Sequence, residues 1–149
     1  MMTLTLSEIA TELKELDFGM LSTKREDGSI TSRPMSNNGD VDYDGDSWFF
    51  CYADSRKVAD IKADPKVGLS YIAPPSLLGK PGIFISIEGE ASLFDDKVMF
   101  HEHWTSDLER WFPEGLDTPG LLLIKVRASK VSYWNGDDGG SIALPDRRA

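Results

Sequence analysis

Apolar and polar positions along the chain alternate in two rhythms, and the switches between them mark out its elements. Ile9, Leu13 and Leu16 recur at steps of three and four, which places them on one helical face. Ser7 precedes them as a capping residue with Glu8 in the first turn, so a helix is predicted from Ser7 to about Leu16, ending before Gly19. Phe18 to Thr23 is a short apolar run, and Glu26-Asp27-Gly28-Ser29 is a hairpin turn into a second strand from Ile30. That strand carries Arg33-Pro34-Met35, and a proline without an N–H belongs at a sheet edge or bulge. Trp48-Phe49-Phe50-Cys51-Tyr52 is a dense β-forming run, with Trp48 and Phe50 on one face and Phe49 on the other. A helix capped by Asp54 or Ser55 follows to Ala63, turns Val58 and Ile61 inward, and stops at Asp64-Pro65.

Further strands are predicted over Val67–Ile72, over Ile83–Phe94 with a bend at Gly89, and over Leu121–Trp134. A helix begins at Asp95-Asp96 around Val98, Phe100 and Trp104, and a second short one covers Asp107 to Trp111. Residues 37–46 and 73–82 are rich in Asn, Gly, Asp and Pro and read as loops, and residues 136–149 as a polar, flexible tail. No repeat or linker divides the chain, which is expected to form a single domain over residues 1–149. Six strands joined mostly by turns too short for parallel crossovers predict a mainly β, α+β fold: an antiparallel β-barrel flanked by short helices.

Composition narrows the function. With 40% hydrophobic and 28% charged residues the chain can build a core without disulfides, and its one cysteine, Cys51, fits a reducing cytoplasm. The longest apolar stretches fall short of a membrane span, and the first residues lack the charge and apolar pattern of a secretory signal. A net charge of −9 argues against nonspecific nucleic-acid binding, which draws its affinity from Lys and Arg on phosphates. An acidic protein can still hold one small anion at a local site.

Ser55-Arg56-Lys57 is the candidate for such a site, because it lies where a strand hands over to a helix. The first helical N–H groups lack intrahelical partners, the helix dipole adds partial positive charge, and the three side chains add donors. Taken alone, such a triplet is more often a capped helix start with solvated cations. Arg33-Pro34-Met35 is the second candidate. A strand interrupted by proline leaves backbone groups free for the polar edge of a flat heterocycle, although a surface arginine beside an edge proline explains it as well. Phe50 and its aromatic neighbours suit either a ligand pocket or ordinary core. His101 and His103 would diverge on a helix, no third histidine exists, and no metal site is expected. Nor is a nucleophile–base pair evident. Cys51 lies within a strand, where a thiol is usually inert.

In combination these segments resemble the FMN-binding split-barrel superfamily of the pyridoxamine 5'-phosphate oxidases, and within it the small bacterial general stress proteins. Phe49-Phe50-Cys51-Tyr52-Ala53-Asp54-Ser55-Arg56-Lys57 is similar, without gaps, to the oxidase stretch F-F-T-N-Y-x-S-R-K. Arg33-Pro34-Met35 stands where the oxidases carry R-M-V, and Tyr133-Trp134-Asn135-Gly136 resembles their F-W-Q-G. The stretch Leu108-Glu109-Arg110-Trp111-Phe112-Pro113 resembles the stress-protein subgroup. The resemblance implies an FMN site, with FAD left open, formed by Arg33, Pro34, Met35, Phe50, Cys51, Ser55, Arg56, Lys57 and Trp134. It also implies a homodimer with the flavin at its interface and Trp134 packing on the flavin, by one reading from the partner subunit. Two departures bear on activity. The oxidase R-x-H after F-W-Q-G is replaced by Asp137-Asp138-Gly139-Gly140-Ser141, and Asn38 and Gly39 stand in the neighbourhood of a missing lysine. The expectation is therefore a flavin-binding stress protein that does not oxidise pyridoxamine phosphate. Flavin-dependent redox turnover, flavin storage without turnover and a dimer that has lost its cofactor remain open.

Overall fold

One long antiparallel sheet organises the protein, and most of its strands join through neighbours in the chain. The computed structural model describes residues 4–37, 43–75, 82–136 and 138–145. In chain order the elements are α1 (Leu6–Lys14), β1 (Phe18–Lys24), β2 (Ile30–Ser36), β3 (Asp46–Tyr52), α2 (Arg56–Ala63), β4 (Lys66–Ala73), β5 (Ile83–Phe94), α3 (Lys97–His103), β6 (Leu121–Asn135) and β7 (Asp138–Ala143). Two short 3₁₀ helices, Ser106–Arg110 and Gly115–Asp117, lie between α3 and β6. The seven strands run in the order β2-β1-β4-β5-β6-β3, with β7 also paired to β6. Every pairing is antiparallel, which fits the α+β reading.

The 15-residue strand β6 holds the sheet's far end together. Its first half pairs β3, from Asp46 opposite Arg127 to Tyr52 opposite Leu121. Its second half pairs β7 along that edge, and β5 runs along the other. The seventh strand corrects the expected count of six and the expected flexible tail. Beyond the reach of β3, β6 would present unpaired backbone groups, and residues 138–143 satisfy them. Gly140 suits this strand because a Cβ there would lie 2.5 Å from the Tyr133 hydroxyl. Among the described residues β2 and β3 end the order and do not pair with each other, so the sheet is not closed.

Local signals account for most boundaries. The Glu26–Ser29 turn closes as expected, with Asp27 Oδ1 accepting from both the N–H and the hydroxyl of Ser29. The first helix is capped by Thr5 rather than Ser7. The Thr5 hydroxyl accepts from the Glu8 N–H and the Glu8 carboxylate accepts from the Thr5 N–H, a reciprocal pair that needs the three-residue spacing Ser7 lacks. The segment expected as a helix over Asp107–Trp111 is the 3₁₀ helix Ser106–Arg110. The loops over residues 37–46 and 73–82 fall largely outside the described residues, as do Asn38 and Gly39, Asp137 and the tail's last four positions.

Two apolar clusters flank β3. Phe49 and Cys51 join the main core with Ile9, Leu21, Val58, Leu69, Ile85, Ile124 and Val131. On its other face Phe50 packs with Phe100, Phe112, Leu121 and Leu123 under α3 and the 3₁₀ segment. The aromatic run therefore sends Phe49 and Phe50 to opposite faces, as its alternation predicts, and both faces carry core. The expected bend at Gly89 is a register shift against β6. A Cβ at Gly89 would collide with the Arg127 carbonyl and lie 3.2 Å from Ala128 Cα, both backbone. Gly89→Ala should lower unfolding free energy by about 1–3 kcal/mol, measured by urea denaturation, because the bulged backbone cannot yield as a flexible side chain would.

Candidate functional site

The edges of β2 and β3 that find no partner strand among the described residues border a common cavity. A cavity of about 310 Å³ is lined by Pro34, Met35, Ser36 and Asn37 from one edge and by Trp48 to Tyr52 from the other. Lys57 of α2 reaches it, and Phe18, Leu108, Trp111 and Phe112 form its outer wall. That volume lies at the lower end of the range typical of small-molecule sites. The wall is largely aromatic: Phe18 meets Trp111 edge-on at 6.4 Å, and Tyr52 lies 5.1 Å from Phe112. Among the described lining residues Lys57 is the one cation and Asp107 the one carboxylate. Pro34 sits in an edge strand, as its missing N–H requires.

The start of α2 stands beside this cavity. Ser55 occupies the N-cap position with extended backbone, yet its side chain makes no cap bond. Its hydroxyl instead donates to the Tyr52 carbonyl at 2.7 Å. The first N–H groups of α2 are thus left without a side-chain acceptor, beside an exposed Arg56 and a half-buried Lys57. An uncapped helix start flanked by two cations offers donors and positive charge to an anion.

Arg33 is placed differently from its neighbours in sequence. Pro34 and Met35 line the cavity, whereas the Arg33 guanidinium turns toward α2. It donates to the Leu21 carbonyl, the Thr23 hydroxyl and the Thr31 hydroxyl at 3.2, 2.7 and 3.0 Å. Asp60 of α2, only 4% exposed, lies 3.7 Å from it and accepts from both threonine hydroxyls. Burial pulls the Arg33 pKa below its usual value, and the Asp60 charge opposes that.

Trp134 is the second predicted residue that this chain does not bring to the cavity. It is half exposed on the outer face of β6, opposite Phe84. Of the nine predicted residues, Pro34, Met35, Phe50, Cys51 and Lys57 line the cavity. Ser55 and Arg56 flank it through α2, and Arg33 and Trp134 point elsewhere. Sequence reasoning assigned no site role to Phe18, Leu108, Trp111 or Phe112. The available signal was the run of large aromatics around an irregular segment, which leaves Trp111 47% exposed. His103 stacks on Trp48 with ring centroids 3.7 Å apart, and its burial there lowers its pKa. Among the described residues no three His, Cys, Asp or Glu side chains gather where a metal could sit.

The class of protein follows from comparison with known chains. Over residues 5–144 the sequence matches the family described as Pyridoxamine 5'-phosphate oxidase like, and the chain belongs to that family. It is 22% identical over 137 residues to protein bli-3 of Neurospora crassa, covering 86% of this chain and 63% of that protein. Its relatives also include general stress protein 26 of Bacillus subtilis, 22% identical over 91 residues, covering 61% of this chain and 63% of that protein. The chain thus matches less than two thirds of the length of both.

Solved structures share the fold. A protein related to general stress protein 26 from Clostridium acetobutylicum superposes with a TM-score of 0.78 at 18% identity, covering 93% of this chain and 94% of its own. A FAD-binding protein from Mesorhizobium loti gives 0.69 at 18% identity, covering 87% and 94%. A heme binding protein from Mycobacterium smegmatis gives 0.74 at 13% identity, covering 96% and 60%.

Cys51 lines the cavity from within the core and is only 3% exposed. Burial pushes its thiol from 9.0 up to about 11, against the pull of Lys57 and the Ser55 hydroxyl. The folded protein favours the neutral thiol, so this contribution to stability is full below pH 9 and is lost as pH rises toward 11. At pH 8 the native thiol should react with iodoacetamide at least about a hundredfold more slowly than in urea, the factor set by its smaller thiolate fraction. Mass spectrometry of the alkylated protein over time reads the rate.

Proposed function

We propose that this protein binds FMN in the seam between β2 and β3, with the phosphate on the start of α2. The observation that carries the reading is the coincidence of an aromatic cavity, two unpaired strand edges and an uncapped, doubly cationic helix start. The residues present fit such a group. Lys57 and Arg56 supply charge-assisted donors, and the N–H groups of α2 add more. The backbone of Pro34 and Met35 faces a planar ring from one edge, and Phe50 and Cys51 face it from the other. The open seam is then the split of a split barrel.

Bound there, a flavin would supply one- or two-electron chemistry, and these side chains would bind it, orient it and keep water from it. FAD would have to project beyond the phosphate at the mouth of the seam. A heme finds no histidine among the described lining residues. Strand β7 supports a role other than pyridoxamine phosphate oxidation, because the segment replacing R-x-H carries no cation and its residues from Asp138 onward are paired to β6. That loss favours a flavin-holding stress protein, and NAD(P)H oxidation by the flavin-loaded protein would distinguish turnover from storage.

The outer face of the sheet supports a homodimer. Ile72, Phe84 and Trp134 stand in one cross-strand row at 65, 53 and 50% exposure. Beside them runs a row of small side chains, Ser70, Ser86, Ser132 and Ser141. An exposed apolar row bordered by small side chains can pack on a second copy of itself about a twofold axis. Such an association would also account for Trp134 lying outside its own chain's cavity, since a residue on this face can serve a partner's site. Phe84→Asp should convert a dimer to a monomer, read as a halved mass by light scattering.

The phosphate reading has its own measurement. Mixing protein with FMN should shift and structure the visible absorption bands. Arg56→Ala with Lys57→Ala should remove two charge-assisted contacts of about 1.5–3 kcal/mol each. FMN affinity should fall far more than riboflavin affinity in a fluorescence titration. Equal losses for both would place the phosphate elsewhere.

A further inference from the structure

The α2 helix contains a buried acid that the proposed phosphate grip does not touch. Asp60 lies between Val58 and Ile61, the residues that seat α2 on the core, and is as buried as they are. A carboxylate in such a place is costly unless its oxygens are satisfied. Here the partners come from two neighbouring strands. Thr23 of β1 donates to Asp60 Oδ2 at 2.8 Å, and Thr31 of β2 donates to the same oxygen at 3.3 Å. Each hydroxyl has one proton to give, and each also accepts from Arg33, through Nη1 and Nη2 respectively. A guanidinium can only donate and an ionised carboxylate can only accept, so each hydroxyl takes a hydrogen bond from Arg33 and has its own proton to give to Asp60. The four side chains therefore form one directed network joining α2 to β1 and β2.

The network sits one helical turn from the phosphate grip. Asp60 follows Arg56 by four residues and Lys57 by three, so it shares their side of a helix only eight residues long. In a helix of eight residues, about two turns, the start and the middle move as one body. Pro34 and Met35, on the other side of Arg33 in β2, line the cavity. The same network thus ties the strand edge that would face the ring to the helix that would hold the phosphate.

We infer that Asp60, with Arg33 as its counter-ion through Thr23 and Thr31, is a positioning residue that sets the start of α2 against the β2 edge. This assignment rests on the flavin reading above. It makes Arg33 a residue that acts through Asp60 and not by direct contact with the ligand's phosphate.

The test is a titration of FMN and riboflavin against the full chain carrying Asp60→Asn, Arg33→Gln or both. Asp60→Asn should weaken FMN by about tenfold, the scale on which loss of a supporting partner loosens a ligand-holding group. Riboflavin should change by less than about twofold, since it lacks the phosphate that α2 would hold. A role in stability alone would lower the melting temperature and leave the FMN-to-riboflavin ratio of the folded protein unchanged, which overturns the inference. The double variant should bind FMN no more weakly than the weaker single one, because both changes break one network. Additive losses, or tighter FMN binding by Asp60→Asn, would mean that Arg33 contacts the ligand directly. If Asp60→Asn does not fold, Thr31→Val removes one bridge near the surface and should shift the same ratio in the same direction. A wild-type protein that does not prefer FMN over riboflavin overturns both the flavin reading and this one. A wild-type preference that survives in Asp60→Asn and Thr31→Val overturns this one alone.

Discussion

Hydrogen-bonding capacity left unspent along β2 and β3 is the constraint from which the site follows. Among the described residues β1, β4, β5 and β6 find partners on both sides, whereas β2 and β3 each pair on one side and end the order, and β7 pairs with β6 alone. Backbone N–H and C=O groups are obligatory hydrogen-bonding groups, so such edges must meet water, a covering segment or a ligand. Pro34 removes one donor from the β2 edge, and the aromatic segment from Leu108 to Phe112 shields the space between the edges. The cavity is a consequence of how the sheet ends.

The aromatic run on β3 serves that arrangement on both faces. Phe49 and Cys51 anchor the strand in the main core, and Phe50 anchors it in the second cluster. A strand clamped on both faces can leave one edge open without fraying, because its position does not depend on the missing neighbour. The same clamp buries Cys51 and suppresses its thiolate, which makes the thiol a packing element of the cavity wall.

Around the cavity, polar groups are arranged by what is absent as much as by what is present. Ser55 gives its hydroxyl to Tyr52 and does not cap α2, so the helix start stays open. Arg33 and Asp60 satisfy one another through two threonines and hold that helix start in place. On the opposite side of the sheet, the exposed row through Phe84 and Trp134 is apolar where a solvated face would alternate with charge.

Much of this was legible in the chain. The Asp27-Gly28 turn, the two faces of Trp48 to Phe50, the helix after Ser55 and the irregularity at Gly89 all follow from local chemistry, and local chemistry is written in consecutive residues. So was the Ser55-Arg56-Lys57 segment, because a helix start with donors keeps its character in any fold. What consecutive residues could not determine were relations between distant ones. The strand over Asp138–Ala143 looked like a polar tail because glycines disfavour strands in isolation, and only the free edge of β6 and the close approach of Tyr133 make them suitable. Arg33 read as a ligand contact beside Pro34 and Met35, but its guanidinium is taken up by Thr23, Thr31 and the buried Asp60, 27 residues on in the chain. Asp60 itself carried no signal, since an acid on a short helix is ordinarily solvated. The sequence alone determined the strands, their faces and the cationic helix start, because these depend on neighbours in the chain. Only the tertiary structure decided which edges stay unpaired and which charges are buried together, because those depend on contacts across the sheet.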